Sequence, residues 1–598
     1  MKLRDFCFLF NQTDRLRFAL LVLLLLGCSF IEMLSLGAVP LFVAAVMGQQ
    51  NALDFINRHI VGRLNWIIAW DGTSIERMVV FCGILLILLF ILRTLYVMFC
   101  VWMQERLLGN RRIALSSRYF RAVLNSAFPL FRTYNSGKIM DSVLGECDHL
   151  ILGLLDPSLN FLKNSVIILT VVGLLVSYDP AVSLGAFFVL GLLASLFMLS
   201  SNKRMKVLGE QIFAERQEAS KVIGEGIGIY RDVAIVGNRD KFVSRLHRRL
   251  ERLAATTRQF NTVQRSLWPV MELLTVLVLL GAMSFLLFRG HRIQEVAPVL
   301  SLLAVCLARL KGCMTELMLQ FTSIRYNSPI LSELASHIRQ LEESGTLEQK
   351  ANVRNNPLPL TERISVQGVS FAYPDAEENV LENVSFDIPR GSSIAFVGAT
   401  GSGKTTMAEL MLGLFQPTAG QILADGQDVF ANLGGWRSNI GFVPQDIYLF
   451  DDTIRANITM CFDRSEVDEA ALQRAIHAAS LDEFISSLPE KEETVVGERG
   501  TRLSGGQRQR IGIARALYRN PSVLVFDEAT SALDNETEAA VMSAIETLRG
   551  THTLIIVAHR LSTVKGCNAI FRFKDKGVQR FSTLEEMNMA SAYSSKQP

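Results

Sequence analysis

LSGGQ, at residues 503–507, decides how this chain is read. GATGSGKT (398–405) stands upstream of it and VLVFDE (523–528) downstream. A turn of the form G-x-x-x-x-G-K-[ST] alone marks only a held phosphate. The three together, in this order, point to a nucleotide site that one polypeptide does not complete.

GATGSGKT follows the apolar run SIAFVG (393–398) and occupies a strand-to-helix turn. Its glycines let backbone N–H groups close around phosphate oxygens at a helix N-terminus, where anions are favoured. Gly398, Ala399, Thr400, Gly401, Ser402, Gly403, Lys404, Thr405 and Thr406 are the expected nucleotide-binding residues. Lys404 is expected to reach the β/γ-phosphates of ATP, and Thr405 to bind Mg²⁺. VLVFD (523–527) reads as a buried strand ending in Asp527, the expected second Mg²⁺ contact. Glu528 follows, placed to polarise the attacking water.

LSGGQRQRIGIARAL (503–517) opens with Ser504, a good helix N-cap, and two glycines. Ile511, Ile513, Ala514 and Leu517 mark the buried face of a helix ending before Pro521. Its exposed N-terminus is a second anion site. The chain's own phosphate loop is already one complete cradle. The natural client of the second is therefore a γ-phosphate bound by another copy.

The surrounding second half is α/β in pattern. ISVQGVSFAY (364–373) and VLENVSFDI (380–388) alternate like a β-ribbon, and HTLIIVAH (552–559) is a further buried strand. Helical stretches separate the strands, as in an α/β nucleotide-binding core. EESGTLEQKANVRNNPLPLTER (342–363), polar and broken by prolines, reads as a linker.

The first half differs in composition. The 598 residues are 49% hydrophobic and only 20% charged, and the apolar excess lies before residue 320. A membrane span needs about 20 apolar residues. Runs at 19–47, 78–104, 159–177, 181–200, 267–289 and 293–312 give six. No small-residue cleavage pattern follows the first run, so it reads as a retained span. The stretch 201–265 carries 14 Lys+Arg against 7 Asp+Glu, and 105–155 is also rich in arginine. The positive-inside rule puts both in the cytoplasm, with both termini and the nucleotide site. Helical periodicity in these stretches reads as membrane helices continuing into the cytoplasm; solvated loops are the alternative. Segment 53–70 is either an interfacial helix on the outer leaflet or a packed loop helix.

Charges inside the spans include Glu32, Arg93, Glu272 and Arg309. Counting 1.5 Å per residue puts Arg93, Arg309 and Glu272 roughly 23, 24 and 26 Å below the outer ends of their spans. Glu32 is expected nearer the outer leaflet. Intramembrane charges face a cavity or each other. Two readings stay open: an Arg–Glu pair that staples helices, or a basic patch of Arg93 and Arg309, with Glu272 at their level, for an anionic head group. The formal net charge of +3 points to no nucleic-acid partner. The nine cysteines contain no CxxC pair and read as free thiols, with Cys28, Cys82, Cys100 and Cys306 buried.

With these motifs in this order the chain resembles the ABC transporter superfamily, over nearly its whole length. The resemblance implies further roles. Tyr373 would stack on adenine. Gln445, in GFVPQD (441–446), would link Mg²⁺ and water to the membrane domain. Ser504, Gly505, Gly506 and Gln507 would act across a dimer, with Asp534 of SALD (531–534) as the D-loop. His559 would contact the γ-phosphate, and VGERG (496–500) is similar to the loop that precedes the signature in exporters. Coupling helices would fall near 126–136 and 224–234.

The implied fold is a six-span α-helical membrane domain (1–330), a linker (331–362) and an α/β ABC ATPase domain (363–598). The implied assembly is a homodimeric ATP-driven exporter with Mg²⁺ as metal, in a bacterial cytoplasmic membrane. IEMLSLGAVPLF (31–42), segment 53–70, Arg93 and Arg309 look like bacterial lipid-linked oligosaccharide flippases, whose expected substrate is a polyprenyl-diphosphate glycan. Lipid A flippases and drug or peptide exporters share the scaffold, so fold does not fix substrate. Soluble ABC ATPases of translation or DNA repair carry no spans, and the apolar first half argues against that class.

Overall fold

The computed structural model describes residues 3–47, 55, 75–134, 136–178, 180–288, 293–345, 357–374, 376, 378–528, 535–558 and 560–588. It divides into two compact units, Met1–Arg121 with Ser136–Arg339, and Ala122–Asn135 with Gln340–Pro598. Segment 53–70 lies outside the described residues except for Phe55.

In the first unit, apolar runs become long continuous helices. They are α1 (Leu3–Leu9), α2 (Gln12–Val46) and α3 (Ile75–Leu124). After the short α4 (Phe128–Thr133) of the second unit come α5 (Ser136–Asp141), α6 (Asp156–Tyr178), α7 (Pro180–Gly228), α8 (Tyr230–Val236), α9 (Arg239–Phe288) and α10 (Ile293–Ser344). Two π-helical segments, Ser142–Glu146 and His149–Leu155, join α5 to α6. Helices α3, α7, α9 and α10 have 49 to 52 residues. That is about 75 Å of helix, against a hydrocarbon core of about 30 Å. The charged stretches 105–124 and 201–265 are thus mainly helical continuations of the spans and not loops. Helix α3 stops ahead of Pro129, which enters the first turn of α4, where a missing N–H costs nothing.

By length and apolarity, four described segments can cross a membrane: Gln12–Val46, Val79–Leu124, Ile139–Ser177 and Arg239–Phe285. The other two expected spans, 181–200 and 293–312, run inside α7 and α10. Leu36 of α2, Ile167 and Val171 of α6, Met271 of α9, and Leu303 and Leu307 of α10 share one buried core. All nine cysteines are free thiols, and Cys28, Cys82, Cys100 and Cys306 are buried as expected.

The second unit holds two sheets. The antiparallel ribbon β1 (Arg363–Phe371) and β2 (Leu381–Pro389) continues into β4 (Ala419–Ala424) and β5 (Gln427–Asp428), in the order β2-β1-β4-β5. The six-stranded sheet has the order β10-β9-β3-β8-β7-β6. Its strands are β3 (Ser393–Gly398), β6 (Ile440–Val443), β7 (Val523–Asp527), β8 (Thr553–Val557), β9 (Ala569–Lys574) and β10 (Gly577–Phe581). β3, β8, β7 and β6 run parallel, and β3 also pairs parallel with β9. Near-continuous Val, Ile, Leu and Phe runs suit strands covered on both faces. Every residue of β8 is buried.

Asp425, in the β4–β5 turn, clamps the chain entering β1. Its carboxylate accepts from the Thr361 and Glu362 amides, from the Thr361 hydroxyl at 2.8 Å and from the Arg363 amide at 2.9 Å. Burial works to raise its pKa, but these hydrogen bonds outweigh it and hold the carboxyl at about 2. A depressed carboxylate contributes stability above its unfolded pKa and loses it as pH falls through the folded one. Asp425→Ala should therefore cost about 1–2 kcal/mol at pH 7, discounted for partial solvent screening. In thermal melts the gap to the unsubstituted chain should narrow between about pH 4 and pH 2. A gap independent of pH would exclude this role.

Candidate nucleotide site and membrane charge cluster

The parallel strands β3, β7 and β8 end at one sheet edge, where α/β folds place ligands. After β3 the backbone must turn sharply. Gly398 has φ 149°, and a Cβ there would lie 2.5 Å from the Phe573 carbonyl oxygen. Gly403, at φ 97°, caps helix α11 (Lys404–Met411), and its Cβ would meet Leu381 at 2.7 Å. Ala399, Thr400 and Gly401 form the exposed lip of the turn.

Lys404 is only 4% exposed, and its Nζ donates to the carbonyl oxygens of Gly398 (3.0 Å) and Ala399 (2.9 Å). Burial pushes its pKa below the ordinary lysine value, while the Glu528 and Asp527 carboxylates pull it back up. Lysine and both carboxylates thus share one electrostatic neighbourhood. Ser402 Oγ is buried with no hydrogen-bond partner among the described residues. Thr405 is exposed at the first turn of α11. A glycine cradle, one ammonium, an orphaned hydroxyl and the side-chain oxygens of Thr405 and Asp527 fit a triphosphate with a hard divalent cation.

Glu528 sits just past the end of β7 with φ 49°, in the left-handed region. Such a backbone costs a non-glycine residue about 1–3 kcal/mol and persists only where its surroundings impose it. Here its N–H donates to the Val557 carbonyl of β8 at 3.1 Å. Gln445, two residues past β6, donates from Nε2 to Glu528 Oε2 at 3.0 Å. The structure thus brings Lys404, Gln445, Asp527 and Glu528 together. Asp534 and His559 lie outside the described residues.

Tyr373 follows β1. Its hydroxyl lies 3.0 Å from Thr406 Oγ1 and donates to Glu409 Oε2 at 3.3 Å. The ring packs edge-on to Phe371 and Phe415, and the Arg132 guanidinium lies over its face at 5.4 Å. Burial raises the Glu409 carboxyl pKa, with Arg132 and Tyr373 pulling against it. Arg132 belongs to α4, whose Phe128 packs edge-on to Phe415 at 5.5 Å. Sequence reasoning missed Arg132 and Glu409 as neighbours of Tyr373, because no local pattern links them.

The signature segment forms helix α12 (Gly505–Leu517) with a complete capping box. Ser504 Oγ accepts from the Gln507 amide at 3.2 Å, and the Ser504 amide donates to Gln507 Oε1 at 2.8 Å. Ile511, Ile513, Ala514 and Leu517 are buried as the periodicity predicts. Ser504 and Gly505 are exposed, while Gly506 is buried.

Among the membrane charges, one expectation is corrected. Glu32, expected nearer the outer leaflet than the arginines, lies against both of them. It is 1% exposed and joins both arginines. Arg93 Nη2 donates to Glu32 Oε1 at 2.8 Å, and Arg309 Nη2 donates to Glu32 Oε2 at 3.1 Å, with Arg309 Nε also against Oε1. Helix α2 continues without interruption to Val46, 14 residues beyond Glu32. That is roughly 21 Å of rise, close to the roughly 23 and 24 Å counted for the arginines. Glu272 lies instead 3.9 Å from Lys311, whose Nζ sits 4.6 Å from the Trp268 ring centre.

Residues 20–308 match the model of the ABC transporter transmembrane region, and residues 381–531 that of the ABC transporter. An ATP-dependent lipid A-core flippase of Cupriavidus metallidurans is 31% identical over 467 residues, covering 77% of this chain and 76% of that one. Its namesake from Thiobacillus denitrificans is 30% identical over 483 residues, covering 78% and 79%. The solved structure of a bacterial Atm1-family ABC exporter with ATP bound matches at TM-score 0.75 over 98% of this chain and 99% of its own. At 24% identity that likeness shows the fold alone. The chain belongs to the ABC transporter family. It is an exporter-type half-transporter, a membrane-spanning helical domain fused to an ATPase that drives transport.

Proposed function

We propose that two copies of this chain form an exporter that flips a lipid with an anionic, phosphate-bearing glycan head group across the bacterial cytoplasmic membrane. The observation that carries the substrate class is the Arg93–Glu32–Arg309 cluster, in which two guanidinium groups meet one buried carboxylate. Guanidinium groups match phosphate oxygens bidentately and are weakly hydrated, so they suit a buried phosphate site. A lipid A-type substrate accords with the names of the relatives. A polyprenyl-diphosphate oligosaccharide is the second reading, supported by the likeness of IEMLSLGAVPLF (31–42), the segment that contains Glu32.

In the ATPase, the loop amides and Lys404 hold the phosphates, and Tyr373 meets the adenine. Thr405, Gln445 and Asp527 would hold Mg²⁺, which neutralises phosphate charge when bound. Glu528 would orient and polarise water, and His559 is the candidate for the γ-phosphate contact. Ser504, Gly505, Gly506 and Gln507, with Asp534, complete the site of the partner copy. Closure of the two ATPase domains turns the membrane cavity outward, and hydrolysis resets it.

Reconstitution into liposomes tests the substrate. Arg93→Gln and Arg309→Gln should each reduce flipping of lipid A or of an undecaprenyl-diphosphate glycan by at least about tenfold. The lipid moved by the unsubstituted protein decides between the readings. Undiminished flipping in both variants would remove the anionic-head-group assignment.

A further inference from the structure

Glu32 lies on α2, Arg93 on α3 and Arg309 on α10, so one carboxylate ties three helices together. The arginine side chains are 22% and 35% exposed, against 1% for Glu32. Both arginine side chains are thus partly exposed, though their Nε atoms are buried, and the carboxylate is enclosed. We propose that Glu32 is a tethered counter-ion that sets which head groups the two arginines accept. The proposal rests on the anionic-head-group reading above and adds a specificity-determining residue to it.

The physical argument is competition. With no lipid bound, Glu32 occupies the arginines with two carboxylate oxygens and keeps them oriented. A carboxylate or zwitterionic head group offers the guanidinium groups no more than Glu32 already supplies. A phosphomonoester or diphosphate brings more charge and more acceptor oxygens, and can engage both arginines while Glu32 lets go of one. Specificity built this way comes from a competitor inside the site as well as from attraction. A plain helix staple predicts the reverse result. Removing its charge would leave two membrane guanidinium groups unneutralised, loosen three helices and weaken binding.

The test is lipid binding by the purified full-length protein, followed by native mass spectrometry. The probes are short-chain phosphatidic acid and a fatty acid of matched length. For Glu32→Gln, half-saturation by phosphatidic acid should fall about tenfold, and its preference over the fatty acid should shrink. Glu32→Asp keeps the charge on a side chain one methylene shorter and should fall in between. If Glu32→Gln is folded and binds phosphatidic acid no more tightly than the unsubstituted protein, the proposal is wrong. If Glu32→Gln does not fold, Glu32→Asp decides by the same criterion. Loss of binding in Arg93→Gln and Arg309→Gln alone leaves the underlying reading intact. Unchanged binding in those two variants, or no saturable binding by the unsubstituted protein, overturns that reading and the proposal with it.

Discussion

Glu528→Gln lowers ATP turnover by about a thousandfold and leaves ATP binding within a few-fold of the unsubstituted protein. The substitution keeps the side chain's size and its ability to pair with Gln445, which lies 3.0 Å away. It removes the carboxylate that would polarise water. Binding is expected from elsewhere, from the glycine cradle and from Lys404, whose Nζ donates to the Gly398 and Ala399 carbonyls of its own loop. The strained backbone at Glu528 is held by its hydrogen bond to Val557, a main-chain contact that glutamine preserves. Phosphate release and binding of a fluorescent ATP analogue separate the two effects. Unimpaired turnover in this variant would mean that the general base is another residue.

Gly505→Asp should reduce turnover by about a hundredfold or more while leaving each chain folded and able to bind ATP. The argument is that stability and function move in opposite directions. Gly505 is the exposed first residue of α12, so an added side chain has room. A carboxylate in a first helical turn is stabilising by about 0.3–1 kcal/mol. In a closed pair of ATPase domains the same carboxylate would confront the γ-phosphate bound by the partner copy and repel it. A mixing experiment checks that the contact is made between chains. Combining Gly505→Asp chains with Lys404→Ala chains restores one composite site, a sound phosphate loop facing a sound signature. ATP occlusion should reappear in the mixture. If LSGGQ served its own chain's phosphate loop, neither partner would hold a sound site and occlusion would stay absent.

The capping box shows why some of this was legible without coordinates. Ser504 and Gln507 are three residues apart, and helix geometry alone brings their side chains to each other's amides. The same holds for the glycines before α11 and for the buried face of α12. Helical continuation of the spans needed only periodicity, and α3, α7 and α9 carry it out. The Gln445–Glu528 pair was legible in part. Each residue was named for its motif, but their hydrogen bond spans 83 positions and depends on β6 lying beside β7.

The sequence by itself determined the class: a membrane domain ahead of an ATPase, a phosphate cradle and an exposed signature helix. Those signals are written within a few residues or one structural period, where backbone geometry admits few alternatives. Tertiary structure alone decided that Arg132 lies over Tyr373 and that Asp425 clamps the entry to β1. It also decided the partner of the membrane arginines. Glu32 stands 61 residues from Arg93 and 277 from Arg309, on a different helix from either. Depth along each span can be counted from sequence, but the rotation and packing of one helix against another cannot. That packing joins Glu32 to Arg93 and Arg309 and sets Glu272 beside Lys311.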